Sequence, residues 1–287
     1  MQANDQNSTG DGNNMHNTSA IADEYSKHSD ALHHVRTAGS IVMSPELFEK
    51  LYLSPQNAVK GDLRKTLSNP TPMALIGFAM SLTPLSCDLM GWRGAGGNGA
   101  ASTGVFLFFG GLIMIIGGIL EFVLGNTFPF VVFCSFGGFW LTFGVTLIPF
   151  YNAYGAYSTT GTAADGLNTQ GFNASVGFYL LFFTLLCFIF MVCSLRTSVA
   201  FVSVFFTATV ALACLVGVYF HAAKGSPETA KTLTVTAGAF AFVAGLSGWY
   251  IIAAQLLAAV DFPIQLPVGD LSTIIKGASE YTNKNED

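Results

Sequence analysis

Residues 101–124 read ASTGVFLFFGGLIMIIGGILEFVL, and this stretch decides the fold. It holds one charged residue, Glu121, and that lies near its end. A helix rises ~1.5 Å per residue and a bilayer's hydrocarbon core is ~30 Å thick, so about 20 apolar residues suffice to cross. Residues 101–124 pass that test. A strand reading fails, because the apolar residues do not alternate, and lipid offers no partner for the free amides of an open strand.

Working outward, five further runs pass the same test: 71–91, 128–151, 174–195, 198–220 and 232–258. The composition agrees. Of 287 residues, 51% are hydrophobic and 10% charged, against about 25% charged in soluble domains. Mean hydropathy is +0.52. The fold class expected is therefore an all-α integral membrane protein with six transmembrane helices. Trp92, Tyr151 and Tyr154 stand at run ends, where aromatic rings anchor at the membrane interface.

Three regions are expected. Residues 1–68 form an amino-terminal region, disordered to about 42 because it is rich in Asn, Ser, Asp and His, with His33 and His34 as a solvated pair. A short amphipathic helix then starts at Ser44-Pro45-Glu46, an N-cap, a first-turn proline and an early acid. Residues 69–258 form the transmembrane domain, and 259–287 a tail. No basic start leads into an apolar core within residues 1–40, so the first apolar run is expected to act as the membrane signal. Lys60, Arg64, Lys65, Arg196 and Lys276 against Arg93, Lys224 and Lys231 favour cytoplasmic amino and carboxyl termini. Asn173-Ala174-Ser175 matches a glycosylation acceptor but abuts the fourth run; Asn7 and Asn17 match on the cytoplasmic side.

Several function classes find no support. A net charge of −5 gives no basic face for nucleic acid. HExxH, GxSxG and P-loop motifs do not occur, and the one G-x-G-x-x-G spacing, at Gly94–Gly99, has no strand before it to make a phosphate cradle, so no catalytic residue and no cofactor is expected. Gly94-Ala95-Gly96-Gly97-Asn98-Gly99 joins two membrane runs and reads as a flexible loop. Cys87, Cys134, Cys187, Cys193 and Cys214 lie in apolar runs without metal spacing and read as small core residues; no metal is expected.

Within the runs, two patterns bear on transport. Glycines recur at seven-residue spacing, as in Gly110/Gly117, Gly111/Gly118, Gly137/Gly144 and Gly238/Gly245, which puts each pair on one face for close helix packing. Hydroxyls align too: Ser135, Thr142 and Thr146 on the third helix, Ser203 and Thr207 on the fifth, and Thr232, Thr234, Thr236, Ser247 and Gln255 on the sixth. Bonding to their own backbone carbonyls and lining a pore are equally open for these. Asp88 reads as an interface acid. Glu121 reads as either a structural partner or a coupling acid.

Asn69-Pro70-Thr71-Pro72-Met73-Ala74-Leu75 is close to the NPAPLGL signature of the acetate uptake transporter family, which includes bacterial YaaH-type succinate–acetate permeases and fungal acetate permeases. Leu120-Glu121, Gly125-Asn126-Thr127-Phe128 and Ser135-Phe136-Gly137-Gly138-Phe139-Trp140, the last similar to the family's SYGxFW, extend the resemblance over residues 69–258. The long polar amino terminus and the tail Asp261–Leu271 look like those of filamentous-fungal members. The resemblance implies six helices per subunit, a homohexameric ring with a pore in each subunit, and proton-coupled uptake of acetate and related short-chain monocarboxylates, here across the plasma membrane. Ammonia or ammonium export is linked to some fungal members. A membrane sensor of carbon source is a third reading, motivated by the polar amino terminus.

The family's Phe, Tyr and Leu constriction carries over to Phe78, Phe136 and Ala208. These lie roughly 10, 12 and 15 Å beyond their helix starts at ~1.5 Å per residue, a depth that allows one ring. Phe136 lacks the hydroxyl of the family Tyr and Ala208 is smaller than Leu, so a wider, less polar ring is expected. Asn69, Ser135, Thr142, Thr146 and Gln255 are the candidate substrate-path residues, with Pro70 and Pro72 freeing amides at the start of the first helix for an anion.

Overall fold

The computed structural model describes residues 67–271 and 274. The amino-terminal region, the short helix after Ser44, His33, His34, Lys60, Arg64, Lys65 and Lys276 lie outside the described residues.

Six helices long and apolar enough to cross a membrane make up the bundle: α1 (Thr71–Met90), α2 (Gly97–Val123), α3 (Thr127–Leu147), α4 (Gln170–Ser194), α5 (Val199–Ala223) and α6 (Pro227–Ala259). Their starts follow from local chemistry. The Asn69 side-chain oxygen accepts the Thr71 amide at 2.9 Å, Thr169 caps α4 through Phe172, and Ser198 caps α5 through Phe201. Prolines stand in the first turn of α1 and α6, where a missing N–H costs nothing. α1 ends at Gly91, whose φ of 69° is the left-handed conformation that closes a helix. α3 stops at Leu147, short of the apolar run, because Pro149 follows and holds Ile148 extended.

Neighbouring helices alternate in direction. On α2, Gly117 faces α1, where an added Cβ would lie 2.7 Å from Ala74 Cβ, and Gly110 sits between α3 and α1, where it would lie 2.5 Å from Trp140 Cγ and 2.6 Å from the Ser81 hydroxyl. Gly111 and Gly118 face α3, at Leu141 and Cys134. The two series thus set α2 against both α1 and α3, and the four glycines allow backbone approach that larger residues would block. Gly238, Gly245 and Gly248 set α6 against α1 at Met90, Thr83 and Phe78. Gly177 sets α4 against Phe220 of α5. α3 meets α4 through Phe139 and Phe183, whose rings stack at 4.6 Å. The helices thus close on one another in the order α4, α5, α6, α1, α2, α3. We call the end where α1, α3 and α5 begin the near end, and the other the far end.

The middle of α2, Phe106–Ile113, is a π-helix, a wider turn that shifts the register of side chains along that helix. Gly94–Gly99 is built of tight turns rather than a free loop, and Gly99 is buried against Phe106 and Leu85. Phe108, Phe122, Phe178, Phe182 and Leu246 are exposed on α2, α4 and α6, the apolar faces a bilayer or another subunit would cover. Cys193 is exposed on α4, whereas Cys187 is buried.

A strap after α6 returns to the near end. Val199 and Ala200, free N–H groups at the start of α5, donate to Gly269 and Val268 at 2.8 and 3.3 Å, and Leu271 donates back to Thr197 at 3.1 Å. Tyr250 Oη donates to the Pro267 carbonyl at 2.6 Å.

Candidate functional site

Two cavities lie within the bundle. The near cavity is about 30 Å³ and is lined by α1, α2, α3, α5 and Thr197; its wall includes six phenylalanines, Phe78, Phe128, Phe133, Phe136, Phe201 and Phe205. Thr197 is its one polar lining residue, and that hydroxyl already donates to Ser194 O at 2.7 Å. The far cavity is about 580 Å³. Its walls carry the amides of Asn98, Asn168 and Asn173 and the hydroxyls of Thr142, Thr146, Tyr157, Ser175, Tyr179, Tyr219 and Thr234 among apolar residues, with no Asp, Glu, Lys, Arg or His in the lining.

Aromatic rings separate the two. Phe136 meets Phe78 edge-on at 6.0 Å and Phe183 edge-on at 5.3 Å. Phe139, on the floor of the far cavity, stacks on Phe183 and on Tyr179. Edge-to-face geometry of this kind locks rings in place. Phe78 and Phe136 are therefore brought together, both buried, at the boundary of the two cavities. Ala208 is buried on α5 between Phe205, which lines the near cavity, and Leu215, which lines the far one; Ala208 itself lines neither. The residue that completes the stack is Phe183 on α4, which carries no signature motif. A spacing of four between Tyr179 and Phe183 was the available signal, since it places both on one face.

The other candidates divide. Thr142 and Thr146 line the far cavity, and both hydroxyls donate to the carbonyl one turn back, at 2.8 Å to Gly138 and Thr142. Back-bonding and lining the far cavity are thus compatible on the same residues. Thr207, Thr232, Thr234 and Thr236 are back-bonded too, while Ser203 pairs with Ser247 across α5 and α6 at 3.1 Å. Ser135 is half-buried on α3 and lines neither cavity. Asn69 serves α1 as a cap, and Pro70 and Pro72 are buried at the same turn. Gln255 is 5% exposed, and neither amide atom has a hydrogen-bond partner among the described residues. Asn173 is buried, its amide donating to Leu167 and Thr169 carbonyls at 2.8 and 2.9 Å, a state no glycosylated asparagine keeps.

Glu121 is fully buried at the near end. Its carboxylate accepts from the Thr71 hydroxyl and from the Asn126 amide. Thr71 begins α1, Glu121 lies in the last turn of α2 and Asn126 stands at the start of α3, so one carboxylate ties three helix ends. Buried acids persist where such donors replace water. Glu121 lines neither cavity.

The sequence profile of the GPR1/FUN34/yaaH family matches residues 53–273. The chain belongs to that family. Protein alcS of Aspergillus fumigatus is 46% identical over 81% of this chain and 86% of its own length. Ammonia transport outward protein 2 of Saccharomyces cerevisiae is 31% identical over 64% of this chain and 59% of its own. A solved structure of the bacterial acetate channel SatP superposes with a TM-score of 0.56 at 27% identity, covering 71% of this chain and 99% of SatP. Family membership and the six apolar helices make the chain a multi-pass membrane protein.

Proposed function

We propose that this chain carries acetate and other short-chain monocarboxylic acids across the membrane, with a proton, through the two cavities and the ring of Phe78, Phe136 and Ala208. The observation that carries this reading is the far cavity: uncharged, lined by hydroxyls, large enough for a small acid and closed at its floor by aromatic rings. Thr142 and Thr146 replace part of the solute's water there. Gln255 offers a further amide on α6, without a partner among the described residues. The likeness to the acetate channel SatP supports the substrate. Cytoplasmic termini, the plasma membrane and a hexameric ring complete the reading, the first on loop charge and the other two on the resemblance.

Ammonia or ammonium is the second reading. It is favoured by the name of the Saccharomyces relative, and aromatic walls are compatible with a small cation. Labelled acetate uptake into a fungal host without its own permeases separates the two. Competition by propionate and butyrate measures the width of the ring. In this assay Ala208→Leu is expected to shift competition towards acetate; an unchanged size profile removes Ala208 from the ring.

A further inference from the structure

Phe136 is held from two sides, and the two holds come from different helices. Its ring is perpendicular to that of Phe78 on α1, at 85° and 6.0 Å, and to that of Phe183 on α4, at 88° and 5.3 Å. α1 and α4 stand opposite one another in the order of helices, so three buried rings, Phe78, Phe136 and Phe183, span the bundle between them. Phe78 is backed in turn by α6, where an added Cβ at Gly248 would lie 3.3 Å from its Cδ1. Phe183 is in the lining of neither cavity. Its effect on a solute therefore passes through the rings it supports.

The seam between α3 and α4 gives the side chain at 183 its weight. Glycines bring α2 close to α1 and α3, but none brings α3 close to α4. Gly137 and Gly144 meet Ile115 and Leu107 of α2, Gly177 meets Phe220 of α5, Gly171 meets Tyr157, and Gly138 has no neighbour within 4 Å. At this level α3 and α4 meet ring against ring, with Phe139 stacked on Phe183 at 4.6 Å and Phe136 edge-on to it. Such pairs hold by direction as well as by area. The ring at 183 thus sets how far Phe136 stands from α4, and a smaller side chain there leaves Phe136 room to lean away from Phe78.

We propose that Phe183 is a positioning residue for size selection: it fixes the Phe136 ring against Phe78 and so sets the width of the narrow point from α4. This rests on the transport reading above. The consequence is selective. A narrow apolar passage sorts acids by chain length, because each further methylene has to fit. Loosening it favours a longer acid over acetate, whereas a general loss of packing lowers the uptake of both alike.

The test uses the full-length chain in permease-null fungal cells. Labelled acetate uptake is competed by butyrate and, for reference, by unlabelled acetate, with the amount of protein in the membrane measured alongside. Phe183→Leu is expected to improve competition by butyrate relative to acetate about fivefold, the worth of one edge-to-face pair. In a Phe136→Leu background, where the positioned ring is gone, the same substitution is expected to change that ratio no further. If Phe183→Leu fails to reach the membrane, Phe183→Met, which conserves volume without a ring, is read with the same expectations. Native size preference in a variant that reaches the membrane overturns the proposal and leaves Phe183 a packing residue. An equal shift in both backgrounds also overturns it, because Phe183 then acts without Phe136. Native-chain uptake no greater than that of the empty host overturns the transport reading, and this proposal with it.

Discussion

The near and far cavities occupy one bundle and are walled by the same helices in part, yet they differ in every property that matters for a solute. The near one is small, apolar and built largely from phenylalanine. The far one is many times larger and carries hydroxyls at helical spacing. The difference arises from where α3 places its residues. Its first half presents Phe128, Val132, Phe133 and Phe136 to the near cavity, and its second half presents Thr142 and Thr146 to the far one. On the proposed route a solute meets polar partners first and an apolar barrier second, or the reverse.

Removing the barrier gives the largest effect. Phe136 touches Phe78, Phe183 and Phe190, so Phe136→Ala is expected to cost about 3–5 kcal/mol of stability and to join the two cavities. Thermal unfolding in detergent reads the first, and loss of discrimination between acetate and butyrate reads the second. A destabilised variant with unchanged discrimination would separate the barrier from the path.

Glu121 comes next. It holds the near ends of α1, α2 and α3, which wall the near cavity, through Thr71 and Asn126. Glu121→Leu strands those donors and is expected to cost about 3 kcal/mol, at about 1–3 kcal/mol for each unsatisfied group. Glu121→Gln, which keeps an acceptor, is expected to retain most of the stability. Equal loss in both variants would mean the negative charge itself is required.

Gln255→Met tests the third contrast, a polar group buried with no partner among the described residues. Replacing it by an apolar side chain of similar length is expected to raise stability by about 1 kcal/mol, read by thermal unfolding. A fall in uptake with that gain assigns the amide to the path. The smallest effect is expected at Thr146→Val, which keeps the shape of the far wall and removes one acceptor: less than about 0.5 kcal/mol of stability and a modest change in acetate uptake.

The bundle was legible in the sequence because apolar length alone identifies a membrane crossing. Where a boundary moved, a polar or capping residue moved it. α4 begins at Gln170 because Thr169 caps it, and α6 at Pro227, ahead of the apolar run. The π-helical Phe106–Ile113 segment and the strap onto α5 left no mark, since neither follows from hydropathy. The site was half legible. Phe78 and Phe136 carry motifs, and they meet. Tyr179 and Phe183 sit in a run that is apolar all round, where one-dimensional spacing does not say which aromatic turns inward. The hydroxyl residues posed a choice between back-bonding and lining a pore, and Thr142 and Thr146 are back-bonded while they line the far cavity. That result needed three dimensions.

Labelled acetate uptake by Thr146→Cys tests the central claim most directly, in a chain whose five own cysteines are replaced. Expressed in permease-null fungal cells, this variant is expected to take up acetate and to lose that uptake when a bulky thiol reagent fills the far cavity. Uptake no greater than that of the empty host, or uptake that survives complete modification of Cys at position 146, would contradict passage through this cavity.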